Sequence, residues 1–117
     1  EMIIALKKGS YIQPHIHLDE KSESYHVIEG KMVVYVFSQK GKIIKKVKMG
    51  NVNSKLNFYY RMNKSLFHMP VSLTKYCIYH ETFSGPFSKK NDVIYADFAP
   101  KENESYLVKK FLNKFKL

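Results

Sequence analysis

Apolar residues recur along this chain in short runs, and polar clusters separate the runs. Read by alternation, they predict strands at Met2–Lys7, Tyr11–His17, Tyr25–Glu29, Met32–Phe37, Lys42–Met49, Leu56–Met62, Leu66–Leu73 and Tyr76–Thr82. Ile, Val, Tyr and Phe dominate these runs, as suits a pleated, half-buried surface. Ser38-Gln39-Lys40-Gly41 reads as a hairpin turn, and Gly9, Gly30 and Gly85-Pro86 punctuate elsewhere. Many short strands joined by turns predict an all-β sandwich or barrel. The period then changes. From Asn103 onward Leu107, Val108, Phe111, Leu112 and Phe115 fall at helical spacing, with Lys109, Lys110, Lys114 and Lys116 between them. That pattern predicts a C-terminal amphipathic helix over about 103–116, capped by Asn103, its apolar face on the barrel or a second subunit.

The chain has 117 residues, 44% of them apolar, which is one domain's worth of sequence and too apolar for a disordered tail. The expected organisation is a single domain over 1–117, with the barrel at about 2–100. No uncharged stretch is long enough to span a bilayer, and no secretory leader is visible. The chain starts at Glu1 rather than Met, so an N-terminal piece is expected to be missing.

Twenty Lys and Arg against ten Asp and Glu give a formal charge of +10. Such a field attracts anions. Only Arg61 is an arginine, however, and base-specific reading of nucleic acid leans on Arg, Asn and Gln. Without a recognisable nucleic-acid-binding motif, that partner is not expected, despite the aromatic run Phe58-Tyr59-Tyr60 beside Arg61. Lys40, Lys42, Lys45, Lys46 and Lys48 crowd one hairpin and predict a solvated edge that resists strand-to-strand aggregation. The lone Cys77 excludes an intrachain disulfide and a cysteine-based zinc cluster, and fits a reduced, cytoplasmic setting. Phosphate-cradling glycine loops and the nucleophile elbow are absent.

The chemistry concentrates in Gly9-Ser-Tyr-Ile-Gln-Pro-His15-Ile-His17. Residues i and i+2 on a strand share a face, so His15 and His17 present two imidazoles side by side. Imidazole and carboxylate are the usual ligands of Zn, Fe, Mn and Ni. Glu23 stands beyond a turn, able to fold back toward the pair, and His68 lies in the later run Leu66-Phe-His-Met-Pro. The order G-x5-H-x-H, E-x6-G and a distant His resembles the two motifs of the cupin superfamily. Ile4 to His17, Lys21-Ser-Glu-Ser-Tyr-His-Val-Ile-Glu-Gly, Tyr79-His-Glu-Thr-Phe-Ser-Gly-Pro-Phe and Asp97-Phe-Ala-Pro resemble more narrowly the WbuC family of cupin-fold metalloproteins.

The resemblance implies a double-stranded β-helix, or jelly roll, often dimeric. It implies one divalent transition metal held by His15, His17, Glu23 and His68, and a place among bacterial surface-polysaccharide genes, O-antigen synthesis especially. The chain departs from the cupin pattern at three points. Five residues separate His17 from Glu23, which makes Glu20 a rival ligand; the six-residue spacing to Gly30 favours Glu23. Asn63 and Ser65 stand where the family has Pro and Gly before the last histidine, and Ser72 stands where it has Asn.

Other residues follow from strand parity. His26, opposite in parity to Glu23 and Tyr25, is expected to face away. Of the adjacent His80 and Glu81, one is expected to face the cavity as a general acid or base. Gln13 and Tyr25 share parity with the ligands and are candidates for binding substrate, as is Arg61 for gripping a phosphate. Cys77 is expected to be a buried thiol. The expected function is metal-assisted isomerisation, epimerisation or related modification of an activated sugar, with an anionic small molecule such as a nucleotide-sugar as substrate. The alternatives are an Fe(II)-dependent oxygenase and a non-catalytic sugar- or anion-binding module.

Overall fold

The structure is a computed structural model that describes residues 1–18, 22–62, 66–84 and 93–115. Among these residues nine strands form two antiparallel sheets. They are β1 (Met2–Lys7), β2 (His15–His17), β3 (Glu23–Glu29), β4 (Lys31–Phe37), β5 (Ile43–Gly50), β6 (Tyr59–Met62), β7 (Phe67–Ser72), β8 (Tyr76–Phe83) and β9 (Val93–Tyr95). One sheet runs β1-β8-β3-β6 and the other β5-β4-β7-β2-β9. An α-helix follows, α1 (Ser105–Asn113).

Alternation decides what the sheets enclose. Tyr25 and Val27 of β3 and Cys77 and Tyr79 of β8 point inward against Val34, Val36 and Met49 of the facing sheet. The other face of β4 and β7, with Val33, Tyr35, Phe37 and Met69, carries a second apolar cluster. A sheet buried on both faces reads as a continuous apolar run, as Met32–Phe37 does. The helix closes this second cluster. Phe111 is buried, and Phe115 sets its ring 4.7 Å from that of Tyr35.

The helix begins at Ser105 behind Glu104, not at Asn103. The Glu104 carboxylate accepts from the Lys101 N–H at 2.9 Å, which tightens the turn and delays helical dihedrals past Asn103. β9 has no counterpart among the expected strands: three residues in the middle of a polar stretch show no period. The run expected at Tyr11–His17 is strand only from His15, because Pro14 has no N–H to give a ladder. The Lys-rich hairpin strand, β5, is the outer edge of its sheet, with Lys45, Lys46 and Lys48 exposed. The expectations for Glu20, for the turn at Asn63 and Ser65, for Gly85-Pro86 and for Lys116 lie outside the described residues.

Gly30 joins β3 to β4 at φ +85°, and a Cβ there would stand 2.4 Å from the Tyr76 carbonyl oxygen. Left-handed backbone and backbone overlap both oppose a side chain. Gly30→Ala is expected to lower unfolding free energy by about 3 kcal/mol. A denaturant midpoint unchanged within error would show that this turn relaxes freely.

Candidate metal centre

Register brings the sequence-distant ligands together. His15 of β2 pairs directly with His68 of β7, and their ring centroids are 4.5 Å apart. His17, two residues on, shares that inward face, its ring 5.5 Å from His68. Glu23 opens β3 in the other sheet and crosses the interior to meet them. Its Oε2 lies 2.7 Å from His17 Nε2 and 2.9 Å from His68 Nε2. One ligand atom from each of His15, His17, Glu23 and His68 lies within 4.8 Å of all the others. All four residues are buried.

Backbone carbonyls set the imidazole tautomers. His15 Nδ1–H donates to the Gln13 carbonyl at 2.9 Å, and His68 Nδ1–H donates to the Leu66 carbonyl at 2.9 Å. In the neutral rings each Nε2 is then a lone pair aimed at the cluster, the form in which histidine binds a metal. The consequence at His68 is decisive. Its Nε2 lone pair and a carboxylate oxygen, two acceptors, stand 2.9 Å apart in a buried site. Such a contact is stable only with a positive centre shared by both, a proton or a cation. Bonds of about 2.0–2.2 Å to one ion put ligand atoms roughly 3 to 4.3 Å apart, so to hold one the cluster needs only to ease the Glu23 contacts apart and draw its widest pairs slightly in. The residues therefore fit a divalent ion.

Burial sets the protonation of the site. It drives His15 down from 6.5 to about 3, with the neighbouring His68 adding to the effect. Burial alone would raise Glu23, but hydrogen bonds with His17, His68 and Glu81 outweigh it and hold that carboxyl well below its ordinary range. Glu81 goes the other way: burial first, then its hydrogen bond with Glu23, push it up to about 9. Burial also raises the phenols of Tyr25 and Tyr79, which therefore stay protonated.

A cavity of about 560 Å³ opens on this centre, between β1 and β8 on one side and β2 and β9 on the other. His15, His17, Tyr25 and Glu81 line it. So do Tyr79 and Tyr95, and Phe83, whose ring is 4.5 Å from that of His17.

Three expected residues stand elsewhere. His80 points to the outer face of its sheet, paired with Ile3 and His26 and 3.3 Å from the Glu1 carboxylate. Strand alternation gives the cavity to Glu81 alone, so His80 does not fit the catalytic role expected for it. Gln13 is buried, but its side-chain amide donates to the carbonyls of Ala96 and Ala99 and its own carbonyl holds His15. It positions a ligand and the β9 connection, and does not line the cavity. Arg61 lies outside, bonded to Ser22 Oγ at 3.1 Å, and lines a different pocket. Cys77 is buried, its thiol pushed up to about 11 by burial.

Sequence reasoning missed Tyr79, Tyr95 and Glu102 in the cavity wall. Tyr79 was within reach, since it shares parity with Glu81. Tyr95 and Glu102 follow an unanticipated strand, and only pairing with β2 brings that segment to the mouth.

Known structures share this architecture. Protein SO0799 of Shewanella oneidensis is similar over 97% of this chain and 70% of its own, with a TM-score of 0.67 and 12% identity. NovW, a 4-keto-6-deoxy sugar epimerase from the novobiocin gene cluster of Streptomyces spheroides, is similar over 99% of this chain and 68% of its own (TM-score 0.65, 8% identity). QdtA, a sugar 3,4-ketoisomerase of Thermoanaerobacterium thermosaccharolyticum solved with TDP, is similar over 98% and 75% (TM-score 0.59, 11% identity). The fold is a cupin jelly roll. At these identities the likeness concerns the fold, and function is argued from the site. A domain of unknown function, DUF6016, matches residues 1–49, which carry three of the four clustered residues. No curated protein matches the sequence. Among the described residues no helix is long and apolar enough to cross a membrane.

Proposed function

We propose that this chain is a metal-dependent, sugar-modifying cupin that isomerises or epimerises a keto sugar in bacterial surface-polysaccharide synthesis. The observation that carries the reading is the buried cluster of His15, His17, Glu23 and His68, whose His68–Glu23 contact needs a shared proton or cation, opening on a cavity with a carboxyl group in its wall. The sugar class is supported by the fold shared with an epimerase and a ketoisomerase, and the polysaccharide setting by the sequence resemblance to the WbuC family. A homodimer acting in the cytoplasm belongs to the same reading and rests on that resemblance and the lone thiol.

A divalent ion held by His15, His17, Glu23 and His68 would polarise a bound carbonyl. Glu81 supplies the proton chemistry. It faces the cavity and bonds to Glu23, and burial gives its carboxylate a basicity closer to a catalytic base than an ordinary Glu has. It is the group suited to take a proton from the carbon beside a carbonyl and to return it. Tyr25 and Tyr79, kept protonated, can donate hydrogen bonds to substrate oxygens. Phe83 and the apolar wall keep water from the carbon acid.

The test is isotope exchange. Metal-loaded protein incubated in D2O with a 4-keto-6-deoxy sugar, free and linked to dTDP, is expected to place deuterium beside the keto group, read by mass spectrometry. Glu81→Gln is expected to keep its metal and lose exchange by at least a hundredfold. Exchange unaffected by Glu81→Gln, or absent with both sugars, would overturn the reading. Oxygen uptake in its place would point to the oxygenase.

A further inference from the structure

The two sheets meet along two seams. The metal cavity opens at the first, on the side of the edge strands β1 and β9, and the second seam lies between the other two edges, β5 and β6. These approach at one end, where Met49 bridges Asn57 and the Gly50 N–H donates to the Asn57 carbonyl at 3.0 Å. Further along, among the described residues, β5 pairs with β4 and β6 with β3, so the two edges part. A cavity of about 320 Å³ lies in the gap. Val36, Met62 and Leu66 give it apolar walls, and Ile44 stands exposed beside them. Lys45 stands on the inward side of β5. It shares parity with Val47 and Met49 and pairs with Val36, all three in the interior cluster. Its ammonium ends 5.1 Å from the centre of the Tyr60 ring. An inward charge on an edge strand guards against strand addition, and a lone cation suffices for that. A second cation stands here. Arg61 lines the same cavity from β6, and Ser22 Oγ accepts from its Nη2 at 3.1 Å, which orients the guanidinium. That bond uses one N–H of a fork that carries several.

We propose that this second seam binds a doubly charged organic anion with an apolar body, a phosphate monoester in its simplest form. The inference is independent of the sugar-modifying reading and of the metal centre. A guanidinium fork grips oxyanion oxygens in its own plane, and an ammonium adds a point charge from another direction. Together they match the charge of a monoester, which is close to a dianion at neutral pH. The apolar walls decide the rest. Inorganic phosphate would leave Val36, Met62 and Leu66 in contact with water, whereas an aryl or short alkyl body covers them and gains by burial. The volume stands at the small end of ligand cavities, which suits a single ring better than a nucleotide. Tyr60 holds the Lys45 ammonium against its ring and so fixes the boundary between the apolar walls and the charged mouth. The phosphate-gripping role that its residue type suggests for Arg61 then belongs to this edge of the barrel, away from the metal cavity.

The experiment follows the methyl resonances of Ile44 and Leu66 in this seam, with those of Ile4 and Ile12 in the metal cavity as the control. The probes are phenyl phosphate, inorganic phosphate and benzyl alcohol. Phenyl phosphate is expected to shift Ile44 and Leu66 saturably in the millimolar range. Inorganic phosphate, which lacks the apolar body, and benzyl alcohol, which lacks the charge, are each expected to bind about tenfold more weakly. Lys45→Gln and Arg61→Gln alter exposed side chains and are expected to keep the melting temperature. Each is expected to weaken phenyl phosphate by about fivefold and to leave benzyl alcohol unchanged. No saturable shift at Ile44 and Leu66, or shifts at Ile4 and Ile12 alone, would overturn the proposal. Inorganic phosphate binding as tightly as phenyl phosphate would reduce the seam to a basic surface, and benzyl alcohol doing so would reduce it to an apolar gap; either result sinks the idea. A Lys45→Gln/Arg61→Gln double variant that binds phenyl phosphate as the unaltered protein does would sink it as well.

Discussion

Protein loaded with a divalent transition metal and then desalted is expected to keep close to one ion per chain, and the His15→Ala/His17→Ala double variant to keep almost none. The cause is local. Backbone carbonyls at Gln13 and Leu66 fix the Nδ1 protons, and Nε2 lone pairs converge on Glu23. A cation relieves that crowding; two alanines remove half of its ligands. Binding to the folded chain alone also stabilises it. At a hundredfold excess over Kd the gain is about 2.7 kcal/mol, which raises Tm by roughly 10 °C for a chain this size. The double variant is expected to lack this metal-dependent rise while keeping its far-ultraviolet β signature in chelator. Elemental analysis and melting curves with and without metal decide the matter together. Equal, negligible metal in both proteins would leave the buried lone-pair contact satisfied by a proton, and the metalloprotein reading would fail.

The His/Glu cluster was legible because it depends on parity and order, both of which a sequence carries. His15 and His17 share a face by being two apart, and Glu23 and Tyr25 do likewise, so each pair needs only its own strand. The meeting of the two pairs needs the sheets to face each other, and the resemblance to cupins supplied that step. What parity could not reach was anything set by long-range pairing. Tyr95 and Glu102 enter the wall because β9 pairs with β2, and a three-residue strand has no period to detect. Parity also separates His80 from Glu81, but it names the inward one only when a neighbour is anchored. Tyr25 pairs with Glu81 and His26 with His80, which settles the choice once the β3–β8 register is known. Arg61 and Gln13 left the metal cavity for another reason. A residue's chemistry says what it can bind but not where it stands, and Ser22 and the carbonyls of Ala96 and Ala99 hold these two side chains elsewhere.

Metal-free protein is expected to have a narrow pH range of stability, and Glu81→Gln to widen it on the alkaline side. Glu81 titrates at about 9 in the folded chain against an ordinary 4.5. Between those values the folded state binds more protons than the unfolded state, so stability falls as pH rises. Its contribution is complete below about 4.5 and gone above about 9. His15 acts in the opposite sense. Its folded value of about 3 lies below the ordinary 6.5, so the unfolded chain binds more protons and stability falls as pH drops through that window. Glu23, held below its ordinary range, steepens the acid limb further. Each limb spans a few kcal/mol, because a tenfold change in proton affinity is worth about 1.4 kcal/mol before relaxation of the site reduces it. The two limbs place the maximum near about pH 6. Gln reproduces the shape and hydrogen bonding of a protonated Glu and cannot ionise, so it removes the alkaline limb only. Urea midpoints measured in chelator are expected to coincide for the two proteins at about pH 4. At about pH 9 the variant is expected to be more stable by about 3 kcal/mol. Parallel curves would mean that Glu81 ionises freely, and its carboxylate would then have no more than ordinary basicity to bring to a carbon acid. Divergence, together with lost isotope exchange, would make Glu81 a group whose strain on the empty fold is the source of its reactivity in the loaded one.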